Sequence, residues 1–101
     1  MHLSDQDTRI VLDILARHVP DREVWAFGSR VHGRHLKPFS DLDLVVLGGD
    51  LPLDRYLRLT GAFTDSDLPI RVDVAVWDGL LPGIREIILR EYEVVQPAPP
   101  R

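Results

Sequence analysis

The chain has 101 residues, 45% hydrophobic and 28% charged, with no cysteine, which allows one domain with a core and excludes a disulfide framework or thiolate chemistry. Its 16 acidic residues outnumber 12 Lys and Arg for a net charge of −4, which argues against non-specific nucleic-acid binding through a basic footprint. No apolar run approaches the roughly 20 residues of a membrane span, and the acidic opening MHLSDQDTRI does not read as a signal peptide, so a cytoplasmic location is expected.

From Ser4 to His18, Ile10, Val11, Ile14 and Leu15 recur at helical spacing, with Ser4, Asp5 and Asp7 at the start and Pro20 beyond the end. Glu23–Phe27 (EVWAF) predicts a strand buried on both faces and closed by Gly28. Ser29 to Gly33 allows one or two helical turns, and HLKPF follows as a loop. Ser40–Leu47 (SDLDLVVL) predicts a second strand, ended by GGD. Pro52 suits the first position of a helix with Leu53, Tyr56, Leu57, Thr60 and Phe63 as its apolar positions. Ile70–Trp77 (IRVDVAVW) alternates at period two and predicts a third strand. Leu81–Tyr92 predicts a last helix with Ile84, Ile87 and Ile88 along one side, EVV a short edge strand, and residues 96–101 (QPAPPR) a flexible tail. The order predicts a small α/β (α+β) domain over residues 1–95, a mixed sheet flanked by helices.

The alternation of the strands carries the chemistry. Side chains alternate across a strand, so Asp41 and Asp43 share one face, about 7 Å apart along the backbone. On the third strand Ile70, Val72, Val74 and Val76 form an apolar face, and Arg71, Asp73, Ala75 and Trp77 form the other. Set side by side, the strands let Asp73 join Asp41 and Asp43. Three close carboxylates need a compensating charge. Mg²⁺ is hard, prefers oxygen and combines a few carboxylates with substrate phosphates, and two such ions are a standard device for in-line displacement at phosphorus. A D-x-D pair alone is more often a solvated polar face; the third carboxylate and the upstream turn weigh against that here.

That turn, FGSR, leaves a strand and enters a helical stretch. Gly28 permits close backbone approach to a ligand, N–H groups at the helix start and the Ser29 hydroxyl would meet a phosphate, and Arg30 and Arg34 would neutralise it. By itself the same tripeptide is an ordinary turn with Ser29 as the capping residue. No P-loop, dinucleotide fingerprint or G-x-S-x-G elbow is present.

Together GSRVHGRHLKPFSDLDL and VDVAVW resemble the nucleotidyltransferase domains of the DNA polymerase beta superfamily, in particular the minimal nucleotidyltransferase (MNT) proteins. The resemblance implies that Gly28 and Ser29 hold a nucleoside triphosphate, that Asp41 and Asp43 ligate Mg²⁺, and that Asp73 completes the metal site and helps activate an acceptor hydroxyl. It implies transfer of an NMP, AMP from ATP, with release of pyrophosphate. It also implies a helical HEPN-type partner, either a toxin modified on a tyrosine or the substrate-binding subunit of a two-component enzyme, and hence a hetero-oligomer. Brevity of the chain fits a separate acceptor protein, with Leu80, Leu81 and Ile84 near its docking surface. One departure stands out: MNT antitoxins commonly read G-S-x-A-R-G, where this chain has Val31-His32-Gly33-Arg34, so His32 replaces an arginine.

Other residues read more simply. His32 and His35 lack the further ligands a zinc site wants. Trp25 is expected in the core, while Trp77, on the Asp73 face, is a candidate to stack a base. Tyr56 and Phe63 read as core, Tyr92 has no assigned role, and Asp50, Asp54, Asp65 and Asp67 read as loop or cap carboxylates. Two alternatives compete with protein nucleotidylation: a non-catalytic module that neutralises its partner by occlusion, and a two-component enzyme acting on a small molecule.

Overall fold

A computed structural model describes residues 1–100. Helix α1 (Asp5–His18) begins where the Ser4 hydroxyl accepts the Asp7 N–H at 3.1 Å, with Asp5 and Asp7 in the positive first turn and Arg17 and His18 in the last. Strand β1 (Val24–Phe27), the short helix α2 (Ser29–His32), β2 (Leu42–Val46), α3 (Leu53–Thr64), β3 (Val72–Val76), a 3₁₀ turn (Trp77–Gly79), α4 (Pro82–Arg90) and β4 (Tyr92–Gln96) follow.

The four strands form one mixed sheet in the order β3-β2-β1-β4. β1 is antiparallel to both neighbours, whereas β2 and β3 run parallel, joined through α3. Parallel neighbours need such a helical crossover, and it places α3 on one face of the sheet. There α1 and α3 bury Val11, Ile14, Leu15, Leu59 and Phe63 against Val24, Ala26, Leu42, Leu44, Val46 and Val74. Each fully buried aliphatic side chain on this face contributes about 1.5–3 kcal/mol of transfer free energy, so this layer holds the sheet together.

The opposite face is covered only in part. Ile88 of α4 packs there on Trp25 and Val45, with Phe27, Leu47, Ala75, Trp77 and Leu80 around them. Trp25 stacks on Tyr92 at 4.0 Å between ring centroids and meets Trp77 edge-on at 5.5 Å, a geometry worth about 0.5–1.5 kcal/mol per pair beyond burial. Tyr92 thus has a packing role that its sequence position alone did not reveal.

Several expectations need correction. Pro52 is the extended residue before α3, not its first helical one (φ −55°, ψ 143°). The buried side of α3 is Leu59 and Phe63, with Tyr56 donating from its hydroxyl to the Val74 carbonyl at 2.9 Å; Leu53 and Leu57 face outward. Leu59 completes the i, i+4 pair with Phe63, and the sheet lies on that side. On α4 only Ile88 is buried; Ile84 and Ile87 are exposed. Gln96, expected outside the sheet, instead closes β4, and its side-chain amide donates to the Val19 and Arg22 carbonyls, each at 2.8 Å. No helix among the described residues is long and apolar enough to cross a membrane.

Candidate active site

The sheet register brings the acidic residues together. Tyr92 pairs with Phe27, Phe27 with Asp43, and Asp43 with Asp73, making one row across all four strands. On the next row Trp25, Val45 and Ala75 pair in the same way and lie beneath Ile88 of α4. The row of Asp43 and Asp73 therefore sits where β1 ends and β2 and β3 begin, on the incompletely covered face. Asp41 lies one residue before β2 rather than inside it, with its side chain 43% exposed. The Leu42 N–H donates to the Arg71 carbonyl at 2.9 Å and fixes that approach beside β3.

Burial raises the Asp43 carboxyl above the usual carboxylate range, and repulsion from Asp73 and then Asp41 raises it further; Arg71 opposes them weakly. A half-buried anion facing two others is poorly solvated, so a cation there is favoured. The cation the chain itself supplies is Arg71. Its guanidinium donates to both Asp73 oxygens, at 3.2 and 3.3 Å, and reaches Oδ2 of Asp41 at 3.7 Å. Arg71 shares its face with Asp73 through the period-two pattern, so its side was legible from RVD; its pairing was not.

Gly28 lies directly against this cluster. Its φ of 78° with ψ of −159° is a conformation essentially restricted to glycine. A Cβ there would stand 2.6 Å from Oδ2 of Asp43. Gly28 also precedes the first turn of α2, whose leading N–H groups, those of Ser29 and Arg30, have no acceptor within the helix. The turn that would cradle an anion thus rests on the carboxylate that would hold a cation.

Arg30 does not join them. Its side chain is buried, and the guanidinium donates to the carbonyls of His2 (2.9 Å), Pro38 (3.0 Å) and Ser40 (3.0 and 3.1 Å). Expected as a phosphate contact, it instead fastens the loop and N-terminal segment to α2 and fixes the backbone entering Asp41. A guanidinium has five donors in a fixed fork, which suits converging carbonyls as well as phosphate. Arg34 is exposed and pairs with Glu91 at 2.9 Å. With Phe27, Gly28, His32 and Ile87 it lines a cleft of about 280 Å³ between α2 and α4. The His32 ring accepts the Arg34 N–H at 2.9 Å and so braces this loop. A larger depression of about 400 Å³ lies by His2, Ser4, Asp7 and Pro69, with none of the three aspartates in its wall.

The donor set is hard oxygen, which suits a divalent cation such as Mg²⁺. Among the described residues, however, no three acidic or histidine side chains stand close enough to hold one ion together as they are placed. Arg71 occupies oxygens of two of the three aspartates. The residue types and their shared edge fit a metal.

Residues 8–95 match the family model described as nucleotidyltransferase domain. The chain is 45% identical over 98 residues to a probable protein adenylyltransferase, MntA, of Haemophilus influenzae, covering 95% of this chain and 84% of that one. It is similar in fold to a chain in a toxin–antitoxin crystal structure with AMP-PNP (TM-score 0.72, 19% identity, 90% of this chain and 73% of that one). It is also similar to a chain in the complex of tri-AMPylated Shewanella oneidensis HEPN toxin with MNT antitoxin (TM-score 0.64, 17% identity, 95% and 74%).

Proposed function

This chain belongs to the nucleotidyltransferase domain family, and we propose that it moves AMP from ATP onto a hydroxyl of a helical, HEPN-type partner protein, as an antitoxin of that pair. The observation that carries this reading is the alignment of Asp43 and Asp73 across the parallel strands, with Asp41 at the same edge and the Gly28 turn packed on Asp43. The 45% identity to a protein named as a probable protein adenylyltransferase supports the choice of acceptor.

In this reading the N–H groups and hydroxyl at Ser29 hold the triphosphate, and Arg34 on the cleft wall meets its charge. Asp41, Asp43 and Asp73 would hold Mg²⁺, as two ions. When bound, the metal neutralises charge on the reacting phosphate and its leaving group. The acceptor oxygen forms a bond to the α-phosphorus, the bond from that phosphorus to the bridging oxygen breaks, and pyrophosphate leaves. Asp73 receives the hydroxyl proton. Positioning and charge neutralisation supply most of the acceleration in such transfers. Leu81, Ile84 and Ile87 are exposed on and beside α4, next to the cleft that begins at Gly28, and give a partner protein apolar surface to bury.

The test is mass spectrometry of the proposed HEPN-type partner, sought in the neighbouring open reading frame, after incubation with this chain, ATP and Mg²⁺. The reading requires an added AMP on that protein, absent with Asp41→Asn. Protection of cells by Asp43→Ala as effective as by wild type, with no added mass in either case, would favour neutralisation by occlusion.

A further inference from the structure

Arg71 lies one residue before β3 and two before Asp73, so the alternation puts both side chains on the same face of the sheet. The Arg71 side chain is 73% exposed. What holds it is charge: two hydrogen bonds to Asp73 and an ion pair with Asp41 across the β2–β3 edge. The oxygens it covers, both of Asp73 and one of Asp41, are those a divalent cation would need. One guanidinium against three carboxylates leaves the cluster negative, and an exposed pair of this kind is weak enough to open.

We propose that Arg71 is a tethered counter-cation of the site, which holds the carboxylates in the metal-free protein and must swing off before a divalent cation binds. This rests on the reading of Asp41, Asp43 and Asp73 as metal ligands. It makes metal uptake a competition between a covalently attached single charge and a free double charge. Bare metal is held more weakly than three carboxylates alone would hold it, and the metal-free cluster is kept from repelling itself apart.

The test is titration of the whole protein with Mn²⁺ alone, followed by calorimetry or by electron paramagnetic resonance of the free ion. Arg71→Gln is predicted to bind Mn²⁺ about two- to tenfold more tightly than wild type, the range expected for losing exposed pairs. The gap narrows as NaCl rises, because exposed pairs are screened. Arg71→Lys, which keeps the charge, is predicted to fall between the two. Arg71→Gln binding Mn²⁺ no more tightly than wild type, with Asp43→Asn abolishing binding in both, would overturn the counter-cation while leaving the metal site standing. Mn²⁺ binding that survives Asp43→Asn and Asp41→Asn would overturn the metal reading, and the inference with it.

Discussion

Gly28 and Asp43 are in contact across the end of β1: a methyl group on the glycine would come within 2.6 Å of the carboxylate. The glycine conformation itself costs any other residue about 1–3 kcal/mol. Gly28→Ala must therefore strain the turn and push Asp43 aside together. The expected outcome is a loss of about 1–3 kcal/mol in urea unfolding, and at least a tenfold fall in nucleotidyl transfer, about 1.4 kcal/mol of transition-state stabilisation.

Asp43 is the anion with the worst surroundings, being partly desolvated and facing Asp73 and Asp41. Removing its charge relieves that repulsion. Asp43→Asn is expected to raise the thermal midpoint of the metal-free protein at neutral pH while abolishing transfer. A melting curve taken in excess chelator checks the first part, and a labelled-ATP assay the second.

Asp21 tests the linkage between α1 and α3. Arg55 of α3 hydrogen-bonds Asp21 at 2.6 and 3.2 Å and donates to the His18 carbonyl at 3.2 Å. The Arg55 hydrogen bond, above all, lowers the Asp21 carboxyl to about 2. A depressed carboxylate adds stability that is present above its ordinary value of 3.8 and is lost as pH falls toward 2. The Asp21 side chain is 54% exposed, so solvent screening limits the effect to about 1 kcal/mol or less. Asp21→Asn is expected to be less stable than wild type at pH 7 by that amount, with the difference vanishing near pH 2, as read by urea unfolding at each pH.

Gln96 ties the last strand to the end of α1 through the Val19 and Arg22 carbonyls. Gln96→Ala would remove a donor from both carbonyls, of which that of Val19 keeps the Arg22 N–H at 3.1 Å, a loss of about 1 kcal/mol. Truncation after Gln96 is expected to change stability by no more than about 0.5 kcal/mol, since Pro97–Pro100 are exposed and outside any element. Chemical denaturation of both variants separates the strand from the tail.

Much of this was legible in the sequence for a physical reason. Period-two alternation in RVDVAVW fixes which side chains share a face, so Asp73 and Arg71 could be placed together before any coordinates. The glycine after a buried strand marked the turn. What alternation cannot give is the partner a long side chain chooses. Arg30, expected at the phosphate, is drawn inward by four hydrogen bonds to three carbonyls, and Arg71, placed only on the Asp73 face, is drawn onto two carboxylates. Helix faces were misread where apolar residues ring the helix, as in α3 and α4, because the sheet chooses among near-equal faces. Leu59 won over Leu57 for that reason.

The Asp41, Asp43 and Asp73 edge, with the Gly28–Ser29 turn, is proposed to transfer a nucleotidyl group rather than a phosphoryl group. The direct measurement is a paired incubation of this chain and the proposed HEPN-type partner with ATP labelled at the α-phosphate or at the γ-phosphate. Nucleotidyl transfer requires that α-label become bound to the partner, that γ-label be recovered as pyrophosphate, and that Asp73→Asn abolish both. Label bound from the γ-position, or α-label transferred undiminished by Asp73→Asn, would contradict it.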